Sequence, residues 1–247
     1  MNIALIGYGK MGQIIERIAH DRDHEVTLII DENNRESIRV DDFEGVDVAI
    51  DFSTPDSVLD NIKLCFDARV PVVVGTTGWY DRIEEIRETC EAGEHSLLYG
   101  SNFSVGVNIF FYINKLLAKA IQPFKQYDVQ VEEIHHTQKL DAPSGTAITI
   151  AEGILENSEV KKSWVNNIVG EEGEVIPKND QLLIESHRLE DVPGTHTVLY
   201  SSEVDQIEFK HTAHSRSGFA LGAVIAAEWL QDKTGFFNVK EMFKFDL

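Results

Sequence analysis

Apolar residues in the first hundred positions come in short runs separated by stretches of helical spacing. Ile3–Ile6 is one such run, stopped by Gly7, and Ile14, Ile15, Ile18 and Ala19 follow at the spacing of an amphipathic helix. Val26–Ile30, Val46–Ile50, Val70–Val74 and Ser96–Tyr99 are further short runs, near-continuous in apolar residues. Such runs suit strands of a parallel sheet covered on both faces. Ser57–Ala68 and Asp81–Glu91 supply helical segments between them. This alternation predicts an α/β fold built on a doubly wound, Rossmann-type parallel sheet.

The rhythm changes after Phe103. Ile109, Phe110, Ile113, Leu116, Leu117 and Ala120 give Asn108–Ile121 a broad apolar helical face that ends before Pro123. In Asp128–Ile134, Val129 and Val131 alternate with Gln130 and Glu132, the pattern of a half-solvated strand. Thr137–Ser144 reads as a loop and Gly145–Glu156 as a helix. Gly170–Asp180 is polar with Gly and Pro, hence a loop. Thr197–Ser201 and Gln206–His211 read as strands, and Phe219–Leu230 as an apolar helix. A second unit of α+β character with a mixed sheet is expected after a boundary near Ser104–Val107. Whether the final helix returns to the first unit is left open by the pattern.

Charge narrows the function classes. The net charge of −20 leaves no broad basic face for nucleic acid or an anionic membrane surface. An anionic small substrate would need a local cluster of positive groups. The only cysteines, Cys65 and Cys90, both fall in predicted helices. They suggest a reducing compartment, not a disulfide framework. The first residues lack a basic leader region and read as a strand, and no apolar run reaches the length of about 20 residues that a membrane span needs. A cytoplasmic protein is expected.

Gly7-Tyr8-Gly9-Lys10-Met11-Gly12 fits G-x-G-x-x-G between a strand and a helix. Gly7 suits the tight turn, Gly9 the approach of a pyrophosphate, and Gly12 close helix–strand packing, with the helix N-terminus facing the anion. Asp31 lies 19 residues past Gly12 at the end of the second strand, where a carboxylate accepts from ribose hydroxyls. The competing reading is a plain glycine turn beside a solvated Asp. Asp31 favours NADH over NADPH by repelling a 2′-phosphate, with Lys10 and Arg35 the cations able to oppose it. Use of both NADH and NADPH, NADH preferred, is expected. Asp51-Phe52-Ser53-Thr54-Pro55 and Gly75-Thr76-Thr77-Gly78 lie at further strand ends. They suit a nicotinamide ribose, or are ordinary turns, with Thr54 capping a helix from Pro55.

The segment from Glu132 to Thr146 holds His135, His136 and Lys139, then Pro143-Ser144-Gly145-Thr146 opening a helix. One Lys, two imidazoles and a helix N-terminus form the local positive cluster that suits a small dicarboxylate. Imidazole is a common proton donor near neutral pH, although a His pair is as readily structural. No metal is expected: His211-x-x-His214 falls in a predicted strand without a third ligand at clear spacing.

The chain resembles the 4-hydroxy-tetrahydrodipicolinate (dihydrodipicolinate) reductase family along essentially its whole length. The matching pieces are Gly7–Gly12, Asp51–Ser53, Gly75–Gly78, Ser101–Val107, His214–Arg216 and above all Glu133–Ala147, read as E-x-H-H-x-x-K-x-D-A-P-S-G-T-A. The resemblance implies NAD(P)H-dependent reduction in diaminopimelate and lysine biosynthesis, with His135 as proton donor and Lys139 as its catalytic neighbour. It implies substrate carboxylates on His136, Gly145 and Thr146. Cofactor contacts would come from Gly7, Tyr8, Gly9, Lys10, Met11, Gly12, Asp31, Gly75, Thr76, Thr77, Gly100, Ser101, Asn102 and Phe103. It further implies a dinucleotide-binding domain over 1–106 completed by 216–247, and a substrate-binding domain over 107–215 that forms a homotetramer. The glycine loop is one residue shorter than the family's commoner form, and Arg188–His196 lacks the usual glycine-rich run before Gly194-Thr195-His196. The rival reading is a non-catalytic dinucleotide sensor of the same fold.

Overall fold

The computed structural model describes residues 1–170, 173 and 175–243. The chain divides into two compact units, Met1–Asn108 with Arg216–Leu247, and Ile109–Ser215.

In the first unit, strands β1 (Asn2–Ile6), β2 (Glu25–Ile30), β3 (Val48–Asp51), β4 (Val72–Val74) and β5 (Ser96–Tyr99) alternate with helices α1 (Lys10–Asp21), α2 (Val58–Asp67) and α3 (Ile83–Ala92). Strand side chains point alternately to the two faces. Ile3 and Leu5 therefore pack with Ile50, Val73 and Leu98 against Ile15 and Ala19 of α1. Ala4 and Ile6 pack with Ala49, Val72 and Val74 against Ile62, Cys65 and Phe66 of α2 and Cys90 of α3. The inner strands β1, β3, β4 and β5 are buried on both faces, which is why they read as continuous apolar runs. Both cysteines are free and buried.

The second unit contains α4 (Val105–Ile121, beginning in the first unit), β6 (Asp128–His135), α5 (Gly145–Leu155), β7 (Ser163–Ile168), β8 (Gln181–Arg188), β9 (Gly194–Ser201) and β10 (Gln206–Ala213). Its five strands run in the order β10-β9-β6-β8-β7. β6 lies parallel to β8 and antiparallel to β9, giving the expected mixed sheet. Val129, Val131, Leu182, Ile184, Val198 and Tyr200 meet Phe110 and Ala118 of α4 and Ile150, Ala151 and Ile154 of α5 in one core.

The chain then returns to the first unit. Helix α6 (Ser217–Leu230) buries Ala220, Ala223, Val224, Ala227 and Leu230 in the same core as α1, and β11 (Gly235–Asn238) pairs parallel with β5. The completed sheet runs β11-β5-β4-β3-β1-β2 with every pair parallel, the expected Rossmann-type arrangement. Gly222 lets α6 approach the loop after β5, since a Cβ there would lie 1.7 Å from the Phe103 carbonyl oxygen.

Some expectations need correction. α2 starts at Val58 with Ser57 at its N-cap, so Thr54 does not cap a helix from Pro55. β7, β8 and β11 have no counterpart in the sequence reading. Part of the loop expected over Gly170–Asp180 lies outside the described residues, at 171, 172 and 174, as do 244–247 of the C-terminal segment.

Candidate functional sites in the two units

The glycine turn of the first unit is closed on two sides and open on the third. Gly7 adopts φ +90°, and a Cβ there would lie 2.2 Å from the Phe52 carbonyl oxygen. A Cβ on Gly12 would lie 2.4 Å from the Gly7 oxygen, so α1 packs directly on the turn. A Cβ on Gly9 would meet nothing within 4 Å. Gly9 is the N-cap of α1 and provides no side-chain cap for the first N–H groups. A helix start with open space before it and no capping side chain fits a pyrophosphate. Lys10 is exposed, Met11 half-buried, and the Tyr8 hydroxyl donates to Glu16.

Asp31 follows directly on β2, in a local turn. Its carboxylate accepts from the Asn33 N–H at 2.8 Å and from Asn33 Nδ2 at 3.2 Å, which orients it and leaves lone pairs for a ribose. Arg35 donates through Nε to Asn61 Oδ1 at 2.6 Å.

The ends of β3 and β4 are tied by a buried carboxylate. Asp51 accepts from Thr76 Oγ1 at 2.5 Å, Ser53 Oγ at 2.8 Å and Asn61 Nδ2 at 2.9 Å. Burial pushes the Asp51 carboxyl up, and these bonds offset only part of that rise. The Thr76 hydroxyl is thus engaged inside the protein, while Thr77 is exposed. A Cβ on Gly75 would lie 2.2 Å from the Phe52 ring. After β5, Gly100 packs on Val239 and Phe103 is buried in the core, whereas Ser101 is exposed and Asn102 accepts from the Ser104 N–H at 2.9 Å. These loops all leave the carboxyl ends of parallel strands, next to the point between β1 and β3 where the strand order reverses, the usual ligand crevice of such sheets.

In the second unit, His135 is the last residue of β6 and is buried. Glu133, two residues earlier, shares its face and is fully buried. His135 Nδ1 bonds the Glu133 carboxylate, whose other oxygen accepts from Arg188 Nη1 at 2.9 Å. Burial alone would raise the Glu133 carboxyl; the bond and charge of His135 and the bonds from Arg188 and Ser186 outweigh it and hold it at about 2. The outer edge of the ring faces Gly194, where a Cβ would lie 3.0 Å from His135 Nε2.

Arg188 is the β8 register partner of His135. It also donates to the carbonyl oxygens of Lys139 at 3.3 Å and Asp141 at 2.6 Å, so one guanidinium ties the following turn to the β6 dyad. Lys139 Nζ contacts both oxygens of Asp141, at 2.8 and 2.9 Å, and holds that carboxyl below its usual range. His136 is half-buried, and among the described residues its buried Nδ1 has no hydrogen-bond partner. Ser144 caps α5 by accepting from the Ala147 N–H at 3.2 Å. Its hydroxyl also meets His196 Nε2 at 3.0 Å. The His196 ring stands edge-on to His135, 5.1 Å between centroids. Burial, then the neighbouring His135, pushes His196 down to about 3. Gly145 opens the helix exposed, with nothing within 4 Å of where a Cβ would sit, and Thr146 is half-buried.

Glu133, His135 and His196 place possible ligand atoms within 4.8 Å of one another, as do Glu132, Glu185 and His187. In the first group, Arg188 puts a fixed positive charge on Glu133 and Ser144 occupies His196, so a cation would have to displace both. Four residues of this site were not singled out for a role from sequence: Glu133, Arg188, Ser144 and His196. Glu133 is detectable through its two-residue spacing from His135; Arg188 is not, because β8 does not stand out as a strand in the sequence. No helix among the described residues is long and apolar enough to cross a membrane.

Two family models match the chain, dihydrodipicolinate reductase N-terminus over residues 1–103 and C-terminus over residues 106–243. A 4-hydroxy-tetrahydrodipicolinate reductase from Christiangramia forsetii is 51% identical over 98% of this chain and 97% of its own length. One from Methanosarcina barkeri is 32% identical over 98% of each. The dipicolinate-bound dihydrodipicolinate reductase from Paenisporosarcina sp. TG-14 shares the fold, with a TM-score of 0.76 at 24% identity over 96% of this chain and 97% of that one.

Proposed function

This chain belongs to the dihydrodipicolinate reductase family, and on that premise we propose how its residues reduce 4-hydroxy-tetrahydrodipicolinate to tetrahydrodipicolinate, a step of diaminopimelate and lysine biosynthesis. Gly7, Gly9 and Gly12, with Tyr8, Lys10 and Met11, hold the pyrophosphate of a nicotinamide dinucleotide. Asp31 accepts from its adenine ribose. Gly75, Thr76, Thr77, Gly100, Ser101, Asn102 and Phe103 shape the nicotinamide end of the crevice. When bound, that cofactor supplies a hydride to the substrate ring carbon that lost its hydroxyl as water.

The substrate carboxylates are held by Lys139, His136 and the start of α5 at Gly145 and Thr146. Lys139 exchanges part of its contact with Asp141 for a substrate carboxylate, and His136 Nδ1 gains the partner it lacks among the described residues. His135 gives a proton from Nε2 to the reduced ring. The carrying observation is the strand–turn–helix from β6 to α5. In a chain of net charge −20, it gathers Lys139, two imidazoles and an exposed helix start within twelve residues. A dinucleotide sensor has no use for that cluster.

The reading extends to NADH preferred over NADPH, to a cytoplasmic location, and to a homotetramer built through the second unit, whose sheet has β10 and β7 as its edge strands. The test couples the enzyme to its upstream synthase and follows oxidation of NADH and NADPH separately. Turnover with both and a higher kcat/KM for NADH are expected, with Asp31→Ala shifting the ratio toward NADPH. Absence of turnover with either cofactor overturns the proposal.

A further inference from the structure

The Glu133–Arg188 pair is more than the reaction as proposed requires. A fully buried carboxylate is unfavourable unless it is paired and hydrogen-bonded. Glu133 is completely shielded from solvent, yet it is satisfied on both oxygens, by His135 Nδ1 and by Arg188 Nη1 at 2.9 Å. Arg188 reaches it from a strand distant in sequence and uses its other nitrogens on the backbone of the Lys139 turn. Each bond has a directional consequence. A carboxylate on Nδ1 accepts the Nδ1 hydrogen, which fixes the imidazole tautomer and ring angle and directs Nε2 away from Glu133, toward Gly194. A guanidinium bonded to two carbonyls of one turn fixes the height of that turn relative to the strand.

We infer that Glu133 and Arg188 are positioning residues for the reduction: Glu133 sets the working nitrogen of His135 as Nε2, and Arg188 locks Glu133 and the Lys139 turn into one unit. This rests on the reading of His135 as proton donor. The comparison with other oriented imidazoles supports the size of the effect, since loss of an orienting carboxylate disturbs the tautomer while the ring stays in place. Against the His135 ring stand Glu133 on its own strand and His196 on β9, with Arg188 of β8 on the far oxygen of Glu133.

The experiment compares wild type, His135→Ala, Glu133→Gln, Arg188→Gln and Arg188→Lys by steady-state kinetics across pH, with the His135 tautomer read from imidazole ¹⁵N shifts. Glu133→Gln should lower kcat by roughly 10- to 1000-fold with KM for the dicarboxylate changed less than about threefold. Its ¹⁵N spectrum should show mixed tautomers. Arg188→Gln should raise KM as well as lower kcat, with partial recovery in Arg188→Lys; this pair keeps the test open if Glu133→Gln fails to fold. A wild-type kcat and a single tautomer in Glu133→Gln, with His135→Ala inactive, overturns the positioning role alone. Near-normal turnover in His135→Ala overturns the reading beneath it.

Discussion

The Ser144 hydroxyl meets His196 Nε2 at 3.0 Å while also accepting the Ala147 N–H, so the start of α5 is tied to strand β9 through a single oxygen. Its partner is neutral near pH 7, because burial and then the neighbouring His135 hold His196 at about 3. The hydroxyl accepts from the helix and shares one hydrogen bond with the neutral imidazole, the His196 tautomer setting which of the two donates.

Ser144→Ala removes both bonds. N-cap loss is worth about 1 kcal/mol, which in a chain of this size moves Tm by about 2–4 °C. Thermal melting should show that decrease. Because Gly145 and Thr146 are proposed to hold a carboxylate, KM for the substrate should rise while the KM for cofactor stays put. An unchanged substrate KM would separate the cap from the binding site.

The same imidazole makes stability depend on pH. A His whose folded value lies below its ordinary 6.5 binds fewer protons folded than unfolded, so its contribution is complete above about 6.5 and is lost as pH falls toward about 3. Glu133, held at about 2 against an ordinary 4.5, adds a second loss below about 4.5. Urea midpoints should therefore fall steadily from about pH 7 to pH 4, and His196→Gln should flatten the upper part of that decline. An identical slope in the variant would show that other groups govern it.

Turnover should depend on His135 far more than cofactor binding does. His135→Ala is expected to lower kcat by roughly 10²–10⁴-fold with the Kd for NADH within about twofold of wild type. Lys139→Ala should impair both kcat and substrate KM, since it removes a charge from a carboxylate site. Stopped-flow turnover together with cofactor fluorescence titration measures both quantities, and equal losses of turnover and cofactor affinity would contradict the assignment.

A methyl group at Gly12 has no room. Its carbon would sit 2.4 Å from the Gly7 oxygen, a backbone atom that cannot swing aside. Gly12→Ala should push α1 off the turn, destabilising the protein by about 1–3 kcal/mol and weakening dinucleotide binding at least tenfold. Gly9→Ala, which meets nothing within 4 Å, should keep normal stability and lose only cofactor affinity. Denaturation curves and titrations of the two variants distinguish packing from ligand approach.

The legible parts of the fold were those whose burial is two-sided. β1 to β5 announce themselves as apolar runs because helices cover both faces of their sheet. β7 (Ser163–Ile168) has two Asn and a Ser among its six residues, and β11 (Gly235–Asn238) is four residues long and opens on glycine, so neither stands out from a loop. β8 carries Leu182-Leu183-Ile184, too short a run before Glu185 to be told from a turn. In the site, His135, Lys139 and the helix start lie within one short segment and could be read together. Glu133 shows in the sequence only as the first residue of a motif, because its second partner, Arg188, is 55 positions away and only the register of β6 against β8 brings it near.

The return of the chain to its first unit has a consequence for synthesis. When residues 1–108 leave the ribosome, Ile3, Leu5, Ile15, Val73 and Leu98 still lack the apolar face of α6, and β5 still lacks β11 beside it. Residues 109–215 are contiguous and hold their own core, so they can close while the earlier segment waits. The N-terminal half therefore passes through translation with a sticky surface and an open strand edge. A stalled or truncated chain lacking residues beyond 215 would consequently be a substrate for chaperones and proteases, whatever the condition of its second unit.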